Sequence, residues 1–397
     1  MTRRLILADR LVDAVGDGVV RAAAVVVEDG LITWAGRRAD LAESVHESAE
    51  VLDLGARSLL PGLIDAHVHL GFDGGPAPVE TMTGADDEEL TALMLSAAGR
   101  CLEAGITTVR DLGSRGATGM RVRELLAAGT APGPRVLAAG RPITTPGGHC
   151  WYMGGACEDR DGLLAEVDRN HAEGADLIKI MATGGFLTAG TTPGAPQFDE
   201  DALRAVVHRA KELGLRVAAH AHGTAGIAMA VAAGVDTVEH CSWVGAGGGL
   251  EFDPRVAERM AAQGVSVCPT VNRNARNPHG RLPWGPRAEH IAALHRAGVA
   301  VVAGTDAGIE HIPHDDLATG LEILRDAGLT PREVIRSATS VAAAALGIAD
   351  RTGSIREGLS ADLIAVDRDP TADVGALAAP SFVMLRGRPV RLPGPGR

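Results

Sequence analysis

Six residues of this 397-residue chain have types and settings suited to metal chemistry: His67, His69, Lys179, His220, His240 and Asp306. Each stands at or near the end of a short apolar run, where few other acceptors compete for it. His67 and His69 form His-x-His, and alternate residues of a strand point to one side, so both rings can reach a single cation. Alone, that motif is equally what two strand-end histidines bonded to backbone carbonyls look like. His220 and His240 repeat the setting, and three or more histidines at equivalent strand ends are much harder to explain that way. Lys179 lies in ADLIKIM, where an ammonium is costly to bury unless it is paired. A structural salt bridge would account for it, but Lys179 and Lys211 are the only lysines among 38 basic residues. Lysine offers what arginine cannot, an amine whose pKa can fall far enough to make it nucleophilic. A neutral amine can capture carbon dioxide as a carbamate, whose two oxygens can bridge two cations. Asp306, in VVAGTDAG, is either a helix N-cap or a rim carboxylate able to bind a metal through one oxygen and take a proton on the other.

The elements that must position these groups repeat along the chain. From about residue 90 to 310 an amphipathic stretch ends at a Gly and an apolar run of strand length follows. DEDALRAVVHRAKELG is the clearest helix, with Asp199 as N-cap, a stripe of Leu203, Val206, Val207, Ala210 and Leu213, and Gly214 as stop. From the helix-ending glycines, Gly174 leads to Lys179, Gly214 to His220, Gly234 to His240 and Gly298 to Asp306. The strand runs are apolar throughout, as in parallel strands covered on both faces. LLPGLIDAHVHL, ITTVRDL, PRVLAAGRPI, DLIKIM, LRVAAHA, VDTVEHC, VSVCPTV and VAVVAGTDAG make eight strands, which predicts an α/β fold with a (β/α)8 TIM-like barrel and the polar groups on its C-terminal rim. A doubly wound sheet fits the spacing too, but no GxGxxG or P-loop follows the first strand. Residues 59–348 are expected to form the barrel, and residues 1–58 with 349–397 one discontinuous β-sandwich domain, because neither terminal piece is large enough for its own core.

The formal charge of −12, with no basic run interleaved with aromatics, argues against nucleic acid as a partner. No apolar run reaches the length of a membrane span, and Asp9 and Arg10 break the N-terminal run before signal-peptide length. The cysteines, Cys101, Cys150, Cys157, Cys241 and Cys268, are odd in number and lack a CxxC, which suits a reducing, cytoplasmic setting. A small-molecule substrate is therefore expected, with no membrane partner, and a homo-oligomer is left open. The histidines outside the candidate site, His46, His171, His208, His279, His290, His295, His311 and His314, sit in polar or helical surroundings and are expected to be mostly solvent-facing.

The set PGLIDAHVH, IKIMATGG, AAHAHG, VEHC and AGTDAG resembles the amidohydrolase superfamily, in particular its imidazolonepropionase-like branch with prolidase-like and N-acyl-amino-acid hydrolases. The likeness runs through nearly the whole chain, to the closing block ATSVAAAALGIADRTGSIREGLSADLIAVD. It implies that His67 and His69 hold one metal, that His220 and His240 hold a second, that carboxylated Lys179 bridges them, and that Asp306 completes the first site. Imidazolonepropionase resembles a single-metal version without the lysine, so Lys179 points to a binuclear centre. Zinc suits nitrogen-rich ligation, with iron, manganese and cobalt as the other candidates. Two cations about 3.5–4 Å apart would supply hydroxide near neutral pH to attack an amide carbonyl. Asp306 would carry the proton to the leaving nitrogen. His149, in TTPGGHCWYMGGACE, resembles the family's GGH element and would bind the substrate carbonyl or a carboxylate. Trp151 and Tyr152 beside it would either touch substrate or pack the loop. His222 shares a face with His220 and would polarise the carbonyl. Some prolidase-like relatives resemble this chain except for a Tyr at that place, a departure from strict Xaa-Pro specificity. The expected substrate is a dipeptide, an N-acyl amino acid or a related carboxamide. Cyclic amides, lactones and deamination use the same chemistry, and a non-catalytic scaffold is disfavoured by the complete ligand set.

Overall fold

The N-terminal stretch folds into β1 (Arg3–Leu11), β2 (Val20–Glu28), β3 (Leu31–Arg37), β4 (Glu50–Asp53) and β5 (Ser58–Pro61) in a computed structural model that describes residues 3–392. The central runs follow as β6 (Leu63–Val68), β7 (Ile106–Asp111), β8 (Arg135–Ala138), β9 (Leu177–Met181), β10 (Arg216–Gly223), β11 (Thr237–Val244) and β12 (Ser266–Cys268). The C-terminal stretch adds β13 (Leu363–Val366), β14 (Phe382–Leu385) and β15 (Arg388–Arg391). Met1, Thr2 and residues 393–397, at the ends of the expected small domain, and the side chain of His46 lie outside the described residues.

Strands from both ends of the chain join one eight-stranded sheet in the order β15-β14-β13-β5-β1-β2-β3, with β4 beside β1. Instead of two separate sandwich layers, this is one connected sheet that divides along β1. Arg4–Leu7 pairs with β4, whereas Arg10 and Leu11 pair with β5. Side chains alternate across it: Ile6, Val25, Leu59, Leu363 and Phe382 pack on one face, and Leu5, Leu7, Val26 and Trp34 on the other.

The central strands run parallel in two ladders, β6-β7-β8 and β12-β11-β10-β9. β6, β7, β9 and β11 are buried along their whole length, as continuous apolar runs require when both faces are covered. Seven of the eight expected runs are strands, in two ladders, and isolated parallel bridges link the ladders' ends, Ile143 with Ile180, Val267 with Val301 and Val68 with Ala307. The eighth run, 299–307, forms no continuous strand; its backbone is shared between its two neighbours, bridging β12 at Val301 and β6 at Ala307. Val302 N donates to Val267 O at 2.8 Å, Ala303 O accepts from Ala66 N at 3.0 Å, and Asp306 N donates to His67 O at 2.8 Å. Asp306 itself has φ 61°, which breaks strand geometry. Between β8 and β9 the backbone of Ile143 donates to Lys179 O at 2.8 Å and accepts from Met181 N at 2.9 Å.

The helix Glu200–Glu212 forms where the pattern predicts. Asp199 caps it by accepting from Ala202 N at 2.8 Å, and Leu203, Val206, Val207 and Ala210 are buried. Leu213 closes it half-buried, and Gly214 follows at φ 74°, a left-handed turn that glycine adopts without strain. Among the described residues no helix is long and apolar enough to cross a membrane, and all five cysteines are free and buried.

Candidate metal centre

β6 delivers His67 and, one residue beyond its end, His69. The Nε2 atoms of both rings stand 3.2 Å from Oδ1 of Asp306. The other carboxylate oxygen, Oδ2, faces His240 Nδ1 at 4.0 Å. On the neighbouring ladder the register sets Lys179 beside Ala218, Met181 beside His220 and His220 beside Glu239. His220 and His222, two apart on β10, share a face as alternation demands. Their rings lie 4.6 Å and 4.4 Å from that of His240. The imidazole nitrogens of His220, His222 and His240 approach one another closely enough for one ion, as do the ligand atoms of His67, His240 and Asp306.

Strand alternation alone would send Glu239 and His240 to opposite faces. Here both face the centre, because His240 takes φ 65° and the register between β10 and β11 shifts past Ala221. Cys241, Trp243, Thr270 and Asp306 are also left-handed, at φ 47°, 60°, 47° and 61°. Non-glycine residues rarely hold that conformation unless their surroundings force it, and such strain gathers at functional sites.

Glu239 is the functional candidate missing from the sequence reading. It is fully buried, and its Oε2 accepts from His67 Nδ1 at 2.8 Å. Its Oε1 accepts from Arg110 Nη2 at 2.8 Å and from the Thr237 hydroxyl. Burial alone would raise this carboxyl, but Arg110 and the His67 bond hold it well below the usual carboxylate range. An ionised carboxylate only accepts, so Nδ1 of His67 carries a proton, which leaves Nε2 as the nitrogen able to hold a metal. The signal available in the sequence was a charged residue in mid-run within VDTVEHC.

Burial penalises charge on His220, His222 and His240, and their positive neighbours add to it, so all three lie well below the ordinary imidazole value. Neutral rings have lone pairs to give. Burial would likewise raise Asp306, but His67, His69 and His240 hold it well below its ordinary value, as an anion. Lys179 is 1% exposed and its Nζ has no hydrogen-bond partner. Burial lowers its pKa to about 8, against the pull of Glu239 and Asp306. Buried polar groups without partners are rare and call for an explanation. His149 Nδ1 is orphaned in the same way, and His67 Nε2, for all its approach to Asp306, makes no hydrogen bond. An imidazole set, a carboxylate and an orphaned amine fit a centre of bound cations.

A cavity of ≈ 380 Å³ opens over this cluster and is lined by all six expected ligands together with His149 and His222. The His149 ring lies 4.5 Å from that of His220, with burial lowering its pKa to about 3. Gly185 makes room for it, since a Cβ there would stand 2.4 Å from the ring. His222 Nδ1 is 2.9 Å from the Ser242 hydroxyl. Trp151, half exposed, and Tyr152 line an adjoining pocket, which shares Phe186 and Leu187 with the main cavity. His314 is the exception to the mostly solvent-facing histidines outside the site. It is fully buried, with Nε2 3.1 Å from His69 O and Nδ1 3.3 Å from Arg100 Nη2. Its neighbours in sequence are polar, and the contacts that bury it come from more than 200 residues away.

Parallel strands that bring imidazoles, a carboxylate and a lone amine to one end of a sheet have the makings of a metal-dependent hydrolase. The chain belongs to the amidohydrolase family, which matches residues 58–390, and is a hydrolase of carbon–nitrogen bonds. It is 29% identical to ochratoxinase of Aspergillus niger over 93% of this chain and 82% of that one. Imidazolonepropionase of Paracoccus denitrificans is 28% identical over 89% of each. Among solved structures, a Xaa-Pro dipeptidase with bound methionine in its active site superposes with a TM-score of 0.87 at 28% identity, over 98% of this chain and 100% of that one. These likenesses imply a TIM-barrel core with a smaller domain.

Proposed function

We propose that the protein is a binuclear-metal hydrolase that cleaves the amide bond of a small substrate, a dipeptide, an N-acyl amino acid or a related carboxamide. The observation that carries this is the unpartnered Nζ of Lys179 beneath the cluster of His67, His69, His220, His240 and Asp306. His67, His69 and Asp306 would hold one ion, His220 and His240 the other, and Lys179, carboxylated by CO2, would join them. Zinc suits the nitrogen-rich donors. Bound in this place, such ions polarise a carbonyl and lower the pKa of water. The chain does the rest. Asp306, an anion in this setting, accepts the water's proton and returns it to the leaving nitrogen, without which an amine leaves poorly. His149 and His222 donate to the carbonyl oxygen, while Trp151 and Tyr152 border the substituent beyond it.

Residues 59–348 would close as a (β/α)8 barrel, with residues 1–58 and 349–397 forming the small domain beside it. Free buried cysteines favour the cytoplasm. Likeness to imidazolonepropionase keeps a cyclic amide as the second reading. A screen of zinc-loaded protein against dipeptides, N-acyl amino acids and imidazolone-type rings tests the two, with product analysis: a free acid and amine support the first, and an opened ring the second. Retention of two ions and full activity in Lys179→Arg would remove the bridging role.

A further inference from the structure

The wall of the cavity includes three cations besides its imidazoles, Lys179, Arg281 and Arg287. Arg281 is answered by Glu310 at 3.5 Å, and Lys179 feels Glu239 and Asp306. Arg287 differs from both. It sits in the first turn of the helix Trp284–Arg296, partly buried, and donates through Nη2 to the carbonyl of Pro269 at 3.0 Å. Among the described residues no carboxylate stands within 4.0 Å of it, whereas most arginines of the chain have one. Burial is the one influence on its pKa, lowered to about 10, so it remains a cation at neutral pH. A guanidinium partly withdrawn from water with no counter-ion beside it is costly. One carbonyl bond leaves most of its five donors unused, and a planar fork of this kind matches a carboxylate.

We propose that Arg287 is the carboxylate anchor of the cavity, so that the substrate is an anionic amide whose free carboxylate pairs with its guanidinium. This deepens the amide-hydrolase reading and rests on it for the bond that is cut. Phe186 and Leu187, which line both this cavity and the pocket of Trp151 and Tyr152, then take an apolar group of the same molecule. N-acyl amino acids and dipeptides with an apolar residue and a free C-terminus have both features. His149 is left to the carbonyl. Arg287 went unnoticed in the sequence because it is one cation among 38.

The test uses the zinc-loaded protein with N-acetyl-L-phenylalanine and its carboxamide, read by calorimetry and by product release, for wild type, Arg287→Met and Arg287→Lys. Wild type is expected to bind the acid at least about 30-fold tighter than the carboxamide. The Met variant should make the two equal, and the Lys variant, with charge but no fork, should fall between. A merely structural arginine would weaken both compounds alike. The anchor is overturned if wild type shows no preference for the acid, including no binding of it, or if the Met variant keeps the preference. Should the Met variant fail to fold, a Lys variant with undiminished preference for the acid overturns the need for the fork. The two ideas fail separately. Equal hydrolysis of acid and carboxamide removes the anchor and leaves the amide hydrolase, whereas preference for the acid that depends on Arg287, with no amide ever cleaved, does the reverse.

Discussion

Glu239→Gln separates the folding role of a buried carboxylate from its effect on a metal ligand. In the wild type one oxygen holds Arg110 and the other accepts from His67 Nδ1, each at 2.8 Å, with both partners almost fully buried. Glutamine keeps the shape. Its oxygen goes to the guanidinium, since the reverse placement sets two donors face to face, and its amide N–H then points at Nδ1 of His67. The ring must answer as an acceptor there, which moves its proton to Nε2 and removes the lone pair aimed toward Asp306. Loss of such a partner costs about 10–100-fold in metal affinity, about 1.4–2.7 kcal/mol. Glu239→Ala goes further and leaves Arg110 buried without its counter-charge, a loss of about 3–5 kcal/mol in stability. Zinc titration against a competing chelator, with urea unfolding of the metal-free variants alongside, reads the two effects. Glutamine is expected to weaken zinc with a small loss of stability, and alanine to damage both. Wild-type zinc affinity in Glu239→Gln would refute the argument that Glu239 sets the tautomer.

In Gly185→Ala a Cβ would meet the His149 ring at 2.4 Å, so the ring must move. We expect kcat/KM on a substrate from the screen to fall about 100-fold with the fold intact, as misplacement by about 1 Å can cost. An unchanged value would show that His149 does not touch the substrate. Thr330→Ala removes the hydroxyl of the capping box on helix Pro331–Ser337, where Glu333 Oε2 also accepts from Thr330 N at 2.7 Å. About 1 kcal/mol of stability should be lost, measured by urea unfolding at pH 7. Burial would raise the Glu333 carboxyl, but its bonds to Thr330 and His295 bring it below the ordinary 4.5. A depressed carboxyl stabilises fully above pH 4.5 and progressively less as pH falls through its folded value, so the deficit of the variant should shrink in acid. A deficit that grows in acid would contradict this. Chelation should lower the thermal midpoint, because ions bound to the folded chain stabilise it by about 2.7 kcal/mol at a free concentration one hundred times Kd. A midpoint indifferent to chelator and zinc would count against a metal centre.

The six candidate ligands were legible because each is a polar residue at the end of an apolar run, where burial would otherwise select hydrophobes. Lys179 stood out further through the scarcity of lysine. Glu239 was hidden for a geometric reason: alternation sends it away from His240, and only the left-handed φ of His240 brings the two together. No feature of VEHC announces that conformation in a non-glycine residue. The eighth run is interrupted as a strand for a related reason, since Asp306 reaches the centre through the same kind of turn, between the bridges at Val301 and Ala307. His314 depended on contacts from distant parts of the chain, and Arg287 on its place among the residues lining the cavity, neither of which local composition encodes. The sheet shared by the two ends was legible as a need, because neither piece could bury its apolar face alone. Its division along β1 depends on the pairings of β4 and β5, which no local pattern specifies.

Zinc-loaded crystals measured with anomalous scattering at the metal edge would test the account most directly. It predicts two peaks, one by His67, His69 and Asp306 and one by His220 and His240, with planar density beyond Nζ of Lys179 reaching both. A bare amine at Lys179 with at most one ion among the imidazoles would contradict it.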